Sequence, residues 1–172
     1  GTDAFWRAAV IRVPESAVDD YRTAAGWSDY KDQIFSMSDF AGHDVTVTAQ
    51  EKESGLLNVL GQDNLGKVGS LKVTGTINSY DIMVIRNKMP YLHHLDLTDA
   101  TIVANDYEYY TGCHTEDNVI GDYMFFQLYK LVSVKLPKNA TRIGECALSS
   151  CGNLVEVVLP VKLESIGCAA FN

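Results

Sequence analysis

The sequence lacks several features that would indicate a function directly. It has no run of about 18 apolar residues, so no segment is expected to insert into a membrane. It has no Lys/Arg stripe, and its net charge of −8 would repel phosphate backbones, so no nucleic-acid partner is expected. It has no signal peptide, but it opens on GTDAF rather than on methionine, so this absence says nothing about export.

Cysteine is scarce, and its spacing is typical of no metal site. Cys113, Cys146, Cys151 and Cys168 form no CxxC pair and have no zinc-type histidine spacing. We therefore expect small buried apolar side chains, with Cys151 at an inward-facing position. Cys146 and Cys168 lie 22 residues apart (168 − 146 = 22), so a disulfide between them stays open. No cofactor and no metal are predicted.

What the sequence does contain is a repeat of 23 residues. Ile120, Ile143 and Ile166 are evenly spaced (143 − 120 = 23, 166 − 143 = 23), and a glycine follows each of them. We expect these glycines at a bend where a side chain would crowd the next coil. LVSVKLP at Leu131 and LVEVVLP at Leu154 keep the same register. One repeat cannot bury its own apolar face, so neighbouring repeats must stack into a solenoid. In that stack we expect Ile143 and Ile166 to be buried against each other.

Weaker copies of the repeat precede the regular ones. VGSLKVTGTI at Val68 and LHHLDLTDATI at Leu92 carry apolar residues at the same first, fourth and sixth places as LVSVKL. The segment between them, residues 78–89, has the apolar spacing of a helix. A strand is predicted at VTVTA from Val45, and a short helix in ESGLLNVLG ends at Gly61.

The repeat pattern LxxVxLPxxxxxIGxxAFxxC resembles the BspA-type leucine-rich repeat of bacterial surface proteins. The residues that carry the resemblance stand in two consecutive repeats: Leu131, Val134, Leu136, Pro137, Ile143, Gly144, Ala147 and Cys151, then Leu154, Val157, Leu159, Pro160, Ile166, Gly167, Ala170 and Phe171. The resemblance implies a secreted or bacterial cell-surface protein that attaches to a host protein or glycan. It also implies the fold class, an α/β repeat solenoid. This is a right-handed leucine-rich-repeat stack with one parallel sheet face and short helices in the N-terminal part.

Three parts of the chain are predicted. Residues 41–118 are interpreted as divergent N-terminal coils and helices, and residues 119–172 as regular leucine-rich repeats. Residues 1–40 resemble the closing half-coil and capping helix of a preceding repeat array, and GTDAF aligns with the GDYMF, GECAL and GCAAF of the later repeats. Ser16 and Asp19 predict a capping box at the start of this helix, and Gly26 is predicted at its C′ position.

YEYYTGCHTED, residues 107–117, is predicted to be a loop between coils. Adjacent residues such as Cys113 and His114 rarely orient a thiolate and its base toward one substrate. A metal site through His114, Glu116 and Asp117 lacks typical ligand spacing. We favour a structural loop whose tyrosines cover the edge of the core, and the alternative is a recognition loop. The recognition residues would be Tyr107, Tyr109 and Tyr110.

Strand alternation predicts two rows of side chains on the outward face of the sheet, and charges alternate in sign along the second. The first row is Ser70, His94, Ser133 and Glu156, and the second is Lys72, Asp96, Lys135 and Val158. If Leu95 and Leu97 point inward, the side chains between and before them point outward. We favour a solvated surface that keeps the strands in register. The alternative is a polar recognition strip, with the tyrosines of residues 107–110 as its rim. The strip would be the charge row of Lys72, Asp96 and Lys135. The candidate ligand-binding residues on this face are His94, Asp96 and Lys135.

Two functions fit these features, and no catalytic residues are predicted. The first is a non-catalytic, surface-exposed binding or adhesion module with a host protein or glycan as its partner. The second is a structural spacer or scaffold domain of a larger secreted protein, with no ligand of its own. The edge at residues 167–172 is expected to be exposed, and weak self-association through it is a further hypothesis.

Overall fold

A computed structural model describes residues 11–36 and 42–172 of the chain. The chain divides into two compact units, Gly1–Ala41 and Gly42–Asn172, which are described separately. The predicted partial repeat at residues 1–5 lies outside the described residues.

In the first unit, a helix connects two short parallel strands. Strand β1 (Ile11–Val13) pairs with β2 (Ile34–Ser36) in parallel register. Between them lie helix α1 (Val18–Thr23) and the 3₁₀ turns Glu15–Ala17 and Ser28–Gln33. The guanidinium of Arg22 donates to the carbonyl of Ile34 at 2.8 Å, which ties the helix to the second strand.

The predicted capping box of this helix is wrong. The N-cap residue is Ala17, and no side chain accepts a hydrogen bond from the first helical turn. The reason is that the chain already forms a 3₁₀ turn after Pro14, so Ser16 lies inside that turn instead of at the N-cap. Gly26 has a left-handed φ of 84°, as expected of a residue that ends a helix, but it lies two residues beyond the C-cap Ala24.

The second unit contains most of the regular structure. Its helices are α2 (Gly55–Leu60), α3 (Gln62–Leu65) and α4 (Ser79–Lys88). Its strands are β3 (Gly42–Val47), β4 (Ser70–Ile77), β5 (His94–Asp96), β6 (Ala100–Ile102), β7 (Asn105–Tyr110), β8 (Cys113–Thr115), β9 (Val119–Ile120), β10 (Ser133–Lys135), β11 (Arg142–Ile143), β12 (Glu156–Val158) and β13 (Ser165–Ile166). The strand predicted near Val45 and the helices predicted in residues 53–61 and 78–89 are confirmed.

Two parallel sheets are built from the repeats. The six-stranded sheet has the order β12-β10-β5-β4-β3, with β6 beside β4, and every pairing in it is parallel. The three-stranded sheet has the order β13-β11-β9 and aligns Ile120, Ile143 and Ile166. The predicted parallel pairing of the weak and the regular repeats is therefore confirmed, because they contribute neighbouring strands of the six-stranded sheet in the register of their apolar positions.

The core lies on the inward face of the six-stranded sheet. Leu71, Leu95 and Val134 from three neighbouring strands are at most 1% exposed. Ile82 and Ile85 of α4 belong to the same core cluster, so α4 packs on the apolar face of the sheet. The apolar residues of α4 recur every three or four positions, so they lie on one face of the helix, and this face is buried against the strands.

The isoleucines that align in the three-stranded sheet are buried except in the last repeat. Ile143 is completely buried, but Ile166 is 50% exposed, so the prediction that both are buried is wrong for Ile166. The physical reason is that β13 is an edge strand, with β11 on one side and, in the described chain, no strand on the other. Leu159 and Phe171 of the same repeat are each 45% exposed for the same reason.

The turns after the three-stranded sheet use a backbone conformation that the sequence does not signal. Tyr123, Cys146 and Ala169 have φ values of 55°, 50° and 51°, and they stand one repeat apart. Gln127 and Ser150, with φ values of 62° and 59°, form a second such column. Side chains other than glycine rarely adopt this left-handed region, so the stacking of repeats overrides local preference here.

Candidate functional site

The outward face of the six-stranded sheet carries two rows of polar side chains in register. One row pairs Ser70, His94, Ser133 and Glu156 across four strands. The other pairs Asp44, Lys72, Asp96, Lys135 and Val158 across five strands. The predicted alignment of these rows is confirmed, because alternation along each strand and equal register between strands place them together.

Neighbouring side chains in these rows contact each other. The Nζ atom of Lys135 lies 3.2 Å from Oδ2 of Asp96, and the backbone N–H of Thr98 donates to Oδ1 of Asp96 at 3.0 Å. Partial burial raises the pKa of Asp96, but the hydrogen bonds from Thr98 and Lys135 outweigh it and hold the pKa below its usual value. The Nδ1 atom of His94 and the hydroxyl of Ser133 form a hydrogen bond of 2.8 Å.

The tyrosine-rich segment is a hairpin, so the predicted loop is wrong. Strands β7 and β8 pair antiparallel, and the two residues Thr111 and Gly112 connect them. Gly112 has a φ of 69°, which a tight turn between antiparallel strands requires. The hairpin fixes which tyrosine points inward and which point outward.

Tyr109 does not belong to a recognition surface. Its side chain is 3% exposed, and its hydroxyl donates to the carbonyl of Asp122 at 2.8 Å. Burial raises the pKa of this phenol well above its usual value, so it stays protonated and keeps the hydrogen bond. The structure therefore removes Tyr109 from the predicted recognition residues and gives it the predicted structural role at the edge of the core.

The other two tyrosines are partly exposed and lie against α4. Tyr107 stacks on Tyr80 of α4 with ring centroids 4.0 Å apart. Tyr110 stacks on Tyr123 at 5.3 Å, and the guanidinium carbon of Arg86 lies 4.8 Å from its ring centroid. Each ring keeps part of its surface open to solvent, with exposed fractions of 40% and 36%.

The structure does not bring the outward rows and the tyrosines together. α4 packs on the apolar face of the sheet, whereas His94, Asp96 and Lys135 lie on the opposite, polar face. The tyrosines therefore form no rim of the predicted strip. The two sets are separate candidate surfaces.

Cys113 and Asp117 each interact with a backbone group. Burial raises the pKa of Cys113, so the thiol form is favoured, and its Sγ atom lies 3.6 Å from the carbonyl oxygen of Thr111. Asp117 accepts a hydrogen bond from the backbone of Ala104 at 2.8 Å. Within residues 11–36 and 42–172, no group of three or more His, Cys, Asp or Glu side chains is placed to hold a metal ion.

The four cysteines are unbonded. Cys146 and Cys168 lie on adjacent repeats, where the backbone N–H of Cys146 donates to the carbonyl of Cys168 at 3.0 Å, but they form no disulfide. Cys151 is buried as predicted, and its thiol donates to the carbonyl of Phe125 at 3.1 Å. Burial also raises the pKa of Cys151, as expected for a structural thiol.

Sequence reasoning missed a cleft beside the hairpin. The cleft has a volume of about 600 Å³ and is lined by residues from three separated segments. Its principal lining residues are Glu51, Lys52, Tyr80, Asn105, Asp106 and Tyr107. Tyrosine in both the helix and the hairpin was the available signal, but only the fold brings Tyr80 beside Tyr107.

Across the described ranges, none of the helices is both long and apolar enough to cross a membrane.

Comparison with known families confirms the resemblance. The family of the BspA type leucine rich repeat region (6 copies) matches residues 114–172. The chain therefore carries BspA-type leucine-rich repeats over this range, which begins slightly before the regular repeats predicted at residues 119–172. A search of curated proteins finds no match to the chain. Repeats of this family indicate a protein-interaction or scaffold module.

Proposed function

We propose that this chain is a non-catalytic adhesion module that is secreted or displayed on a bacterial surface. Its repeats form a right-handed solenoid, and the outward face of the six-stranded sheet contacts a host protein or glycan. The observation that carries the proposal is the alignment of two polar rows across four and five parallel strands. Strands about 4.8 Å apart present such side chains at regular intervals along an extended partner.

The chemistry of the face supports recognition of a polar partner. The second row alternates in sign through Asp44, Lys72, Asp96 and Lys135. Complementary charges contribute to specificity and to the rate of association more than to affinity, so this row suits a selective contact of moderate strength.

One observation favours the alternative function, a structural spacer or scaffold domain. Asp96 and Lys135 pair with each other, and their side chains are 24% and 49% exposed. An exposed ion pair of this kind contributes only about 0–1 kcal/mol and is common on surfaces that bind nothing. The two functions therefore differ in whether the row has a partner outside the chain.

Asp96→Ala should distinguish these functions. We expect binding to a host glycan or host protein, identified first on an array, to be lost. The free energy of unfolding should fall by no more than about 1 kcal/mol, because Asp96 loses one partly exposed ion pair and one hydrogen bond from the backbone of Thr98. Asp99→Ala is the control, since Asp99 forms a pair with Lys138 at 2.7 Å outside the row, although this pair is more exposed than that of Asp96. No binding on the arrays, or unchanged binding by Asp96→Ala, would support the spacer.

We also propose weak self-association through the exposed edge at residues 167–172 and the adjoining last repeat. A cleft of about 760 Å³ lies there, lined in part by Leu154, Val157, Leu159 and Phe171. The edge strands β12 and β13 offer unpaired backbone groups next to apolar side chains, which favours stacking with another copy.

Sedimentation velocity over a range of concentrations tests this association. We expect a reversible shift toward a dimer at high concentration, and Phe171→Asp should weaken it because the charge would be desolvated in the contact. Val59→Asp is the control, since Val59 is 51% exposed on α2, away from that edge. A strict monomer at high concentration would contradict the proposal.

A further inference from the structure

The cleft beside the hairpin has an aromatic wall formed by Tyr80 and Tyr107. The rings of Tyr80 and Tyr107 are nearly parallel, with an angle of 18° between their planes and centroids 4.0 Å apart. Tyr80 therefore covers one face of the Tyr107 ring, and yet Tyr107 remains 40% exposed. Because Tyr107 lines the cleft, part of its exposed surface can contact a ligand there.

Hydrogen bonds hold the cleft in a fixed shape. Oδ1 of Asn105 accepts from the backbone N–H of Tyr107 at 3.0 Å, and Nδ2 of Asn105 donates to the carbonyl of Glu51 at 3.3 Å. One asparagine thus ties the hairpin to the segment on the other side of the cleft. A ligand would not have to order these segments on binding, which lowers the free-energy cost of association.

Below the cleft, a buried polar network fixes the start of α4 and the end of β8. The backbone N–H of Ser79 donates to Oγ1 of Thr115 at 3.1 Å, and the backbone N–H of Thr115 donates to Oγ of Ser79 at 2.8 Å. Both side chains are completely buried. Tyr80, the next residue in α4, is therefore held in place from beneath.

The polar groups of the cleft suit a ligand rich in hydroxyl groups. Glu51 and Asp106 supply carboxylate acceptors, and Lys52 supplies a donor, so the lining has an excess of negative charge. An anionic ligand is disfavoured there, and so is a purely apolar one. The face of a pyranose ring has C–H groups that pack on the negative face of an aromatic ring, while its hydroxyls need donors and acceptors at the edge.

We propose that this cleft binds one neutral pyranose unit of a glycan, with Tyr107 as the stacking platform and Glu51, Asp106 and Lys52 as partners of the sugar hydroxyls. The volume of about 600 Å³ lies within the range of small-ligand sites and is large enough for a single sugar ring. The proposal rests on the proposed role of the chain as a binding module. It uses none of the residues of the outward rows, so either site can fail without the other.

The test is saturation-transfer NMR with the whole chain and the methyl glycosides of glucose, galactose, mannose and N-acetylglucosamine. We expect at least one of these sugars to bind with a Kd near the millimolar range, as is usual for one small polar ligand, and methyl sialoside to bind more weakly. Tyr107→Ala should weaken binding by at least about tenfold, which corresponds to the loss of about 1.4 kcal/mol. Tyr107→Phe should stay within about twofold, because it keeps the ring.

Three variants separate the site from general effects on folding. Tyr129→Ala removes a tyrosine that is 56% exposed elsewhere on the chain and should leave binding unchanged. Asp106→Ala removes an exposed acceptor and should weaken binding without lowering the melting temperature. Asp99→Ala removes a carboxylate that pairs with Lys138 outside the cleft, and it should leave sugar binding unchanged.

Three outcomes would overturn the proposal. The first is the absence of a transfer signal from every neutral sugar. The second is a signal of equal strength with Tyr107→Ala. The third concerns mucin as a probe: if its binding requires Tyr107 but survives enzymatic deglycosylation, the cleft recognises protein instead of sugar.

Discussion

Gly144→Ala is expected to lower the free energy of unfolding by at least about 3 kcal/mol, the upper part of the range for overpacking a core site. A Cβ atom at this position would lie 2.6 Å from the backbone nitrogen of Asp122 and 2.7 Å from the carbonyl carbon of Gly121. Both atoms belong to the backbone of the preceding repeat, which β9 and the core hold in place. The repeats would have to move apart, and the hydrogen bonds between them would lengthen.

Chemical denaturation of two matched variants tests this expectation. Gly152→Ala should change the free energy of unfolding by less than about 0.5 kcal/mol, as is usual for a surface site, because no atom lies within 4 Å of its Cβ position. Gly167→Ala should cost less than Gly144→Ala, since its Cβ also meets the preceding repeat but β13 is an edge strand that can shift. Equal stabilities of the Gly144 and Gly152 variants would show that the repeats are not so closely stacked.

These glycines show what a repeat in the sequence can predict. A glycine after each isoleucine predicted a place where a side chain would crowd the next coil, and the distances at Gly144 and Gly167 show such crowding, but with a different neighbour. The neighbour is the preceding repeat. The same periodicity predicted the parallel pairing of Val134 with Val157, because an apolar position that recurs every 23 residues must return to the same place in the stack.

The turns and the hairpin could not be predicted in this way. Tyr123 and Cys146 adopt left-handed backbone conformations although neither residue type favours them, so only the stacked repeats determine these turns. The hairpin of β7 and β8 has no counterpart in the other repeats, and its register shifts between Asn105 and Tyr110. Alternation alone therefore did not show that Tyr109 points inward.

The two candidate surfaces also differ in how far the sequence predicts them. The rows that contain Asp96 and Lys135 follow from strand alternation and a shared register, both of which are visible in the sequence. The cleft at Tyr107 combines segments near residues 51, 80 and 105, and their meeting depends on buried polar contacts that have no periodic signal. The most informative of these contacts are those of Asp81.

Asp81→Ala is expected to lower the free energy of unfolding by at least about 3 kcal/mol, because three donors would lose their acceptor at roughly 1–3 kcal/mol each. Asp81 is completely buried. Its Oδ1 atom accepts from the hydroxyl of Ser54 at 2.7 Å and from the backbone N–H of Leu56 at 2.8 Å. Its Oδ2 atom accepts from the backbone N–H of Asn78 at 3.0 Å.

The carboxylate of Asp81 therefore accepts hydrogen bonds at the N-termini of two helices. It completes the capping box of α4 with Asn78, and it binds the first turn of α2 through Leu56. Negative charge near the first turn of a helix also interacts favourably with the helix dipole, and here two dipoles share it. Because the first turn of α2 follows the segment that carries Glu51 and Lys52, the same carboxylate anchors one wall of the cleft.

Denaturation and hydrogen exchange together test this shared role. Asp81→Asn keeps the shape but places an amide N–H against the N–H of Asn78, so we expect a smaller loss of about 1–3 kcal/mol. Asp63→Ala, an exposed acid in the first turn of α3, is the control and should cost less than about 1 kcal/mol. In Asp81→Ala, amide protection should fall in α2 and in the first turn of α4 together. A loss of protection confined to α4 would mean that Asp81 caps only its own helix, and that α2 is held by its apolar face alone.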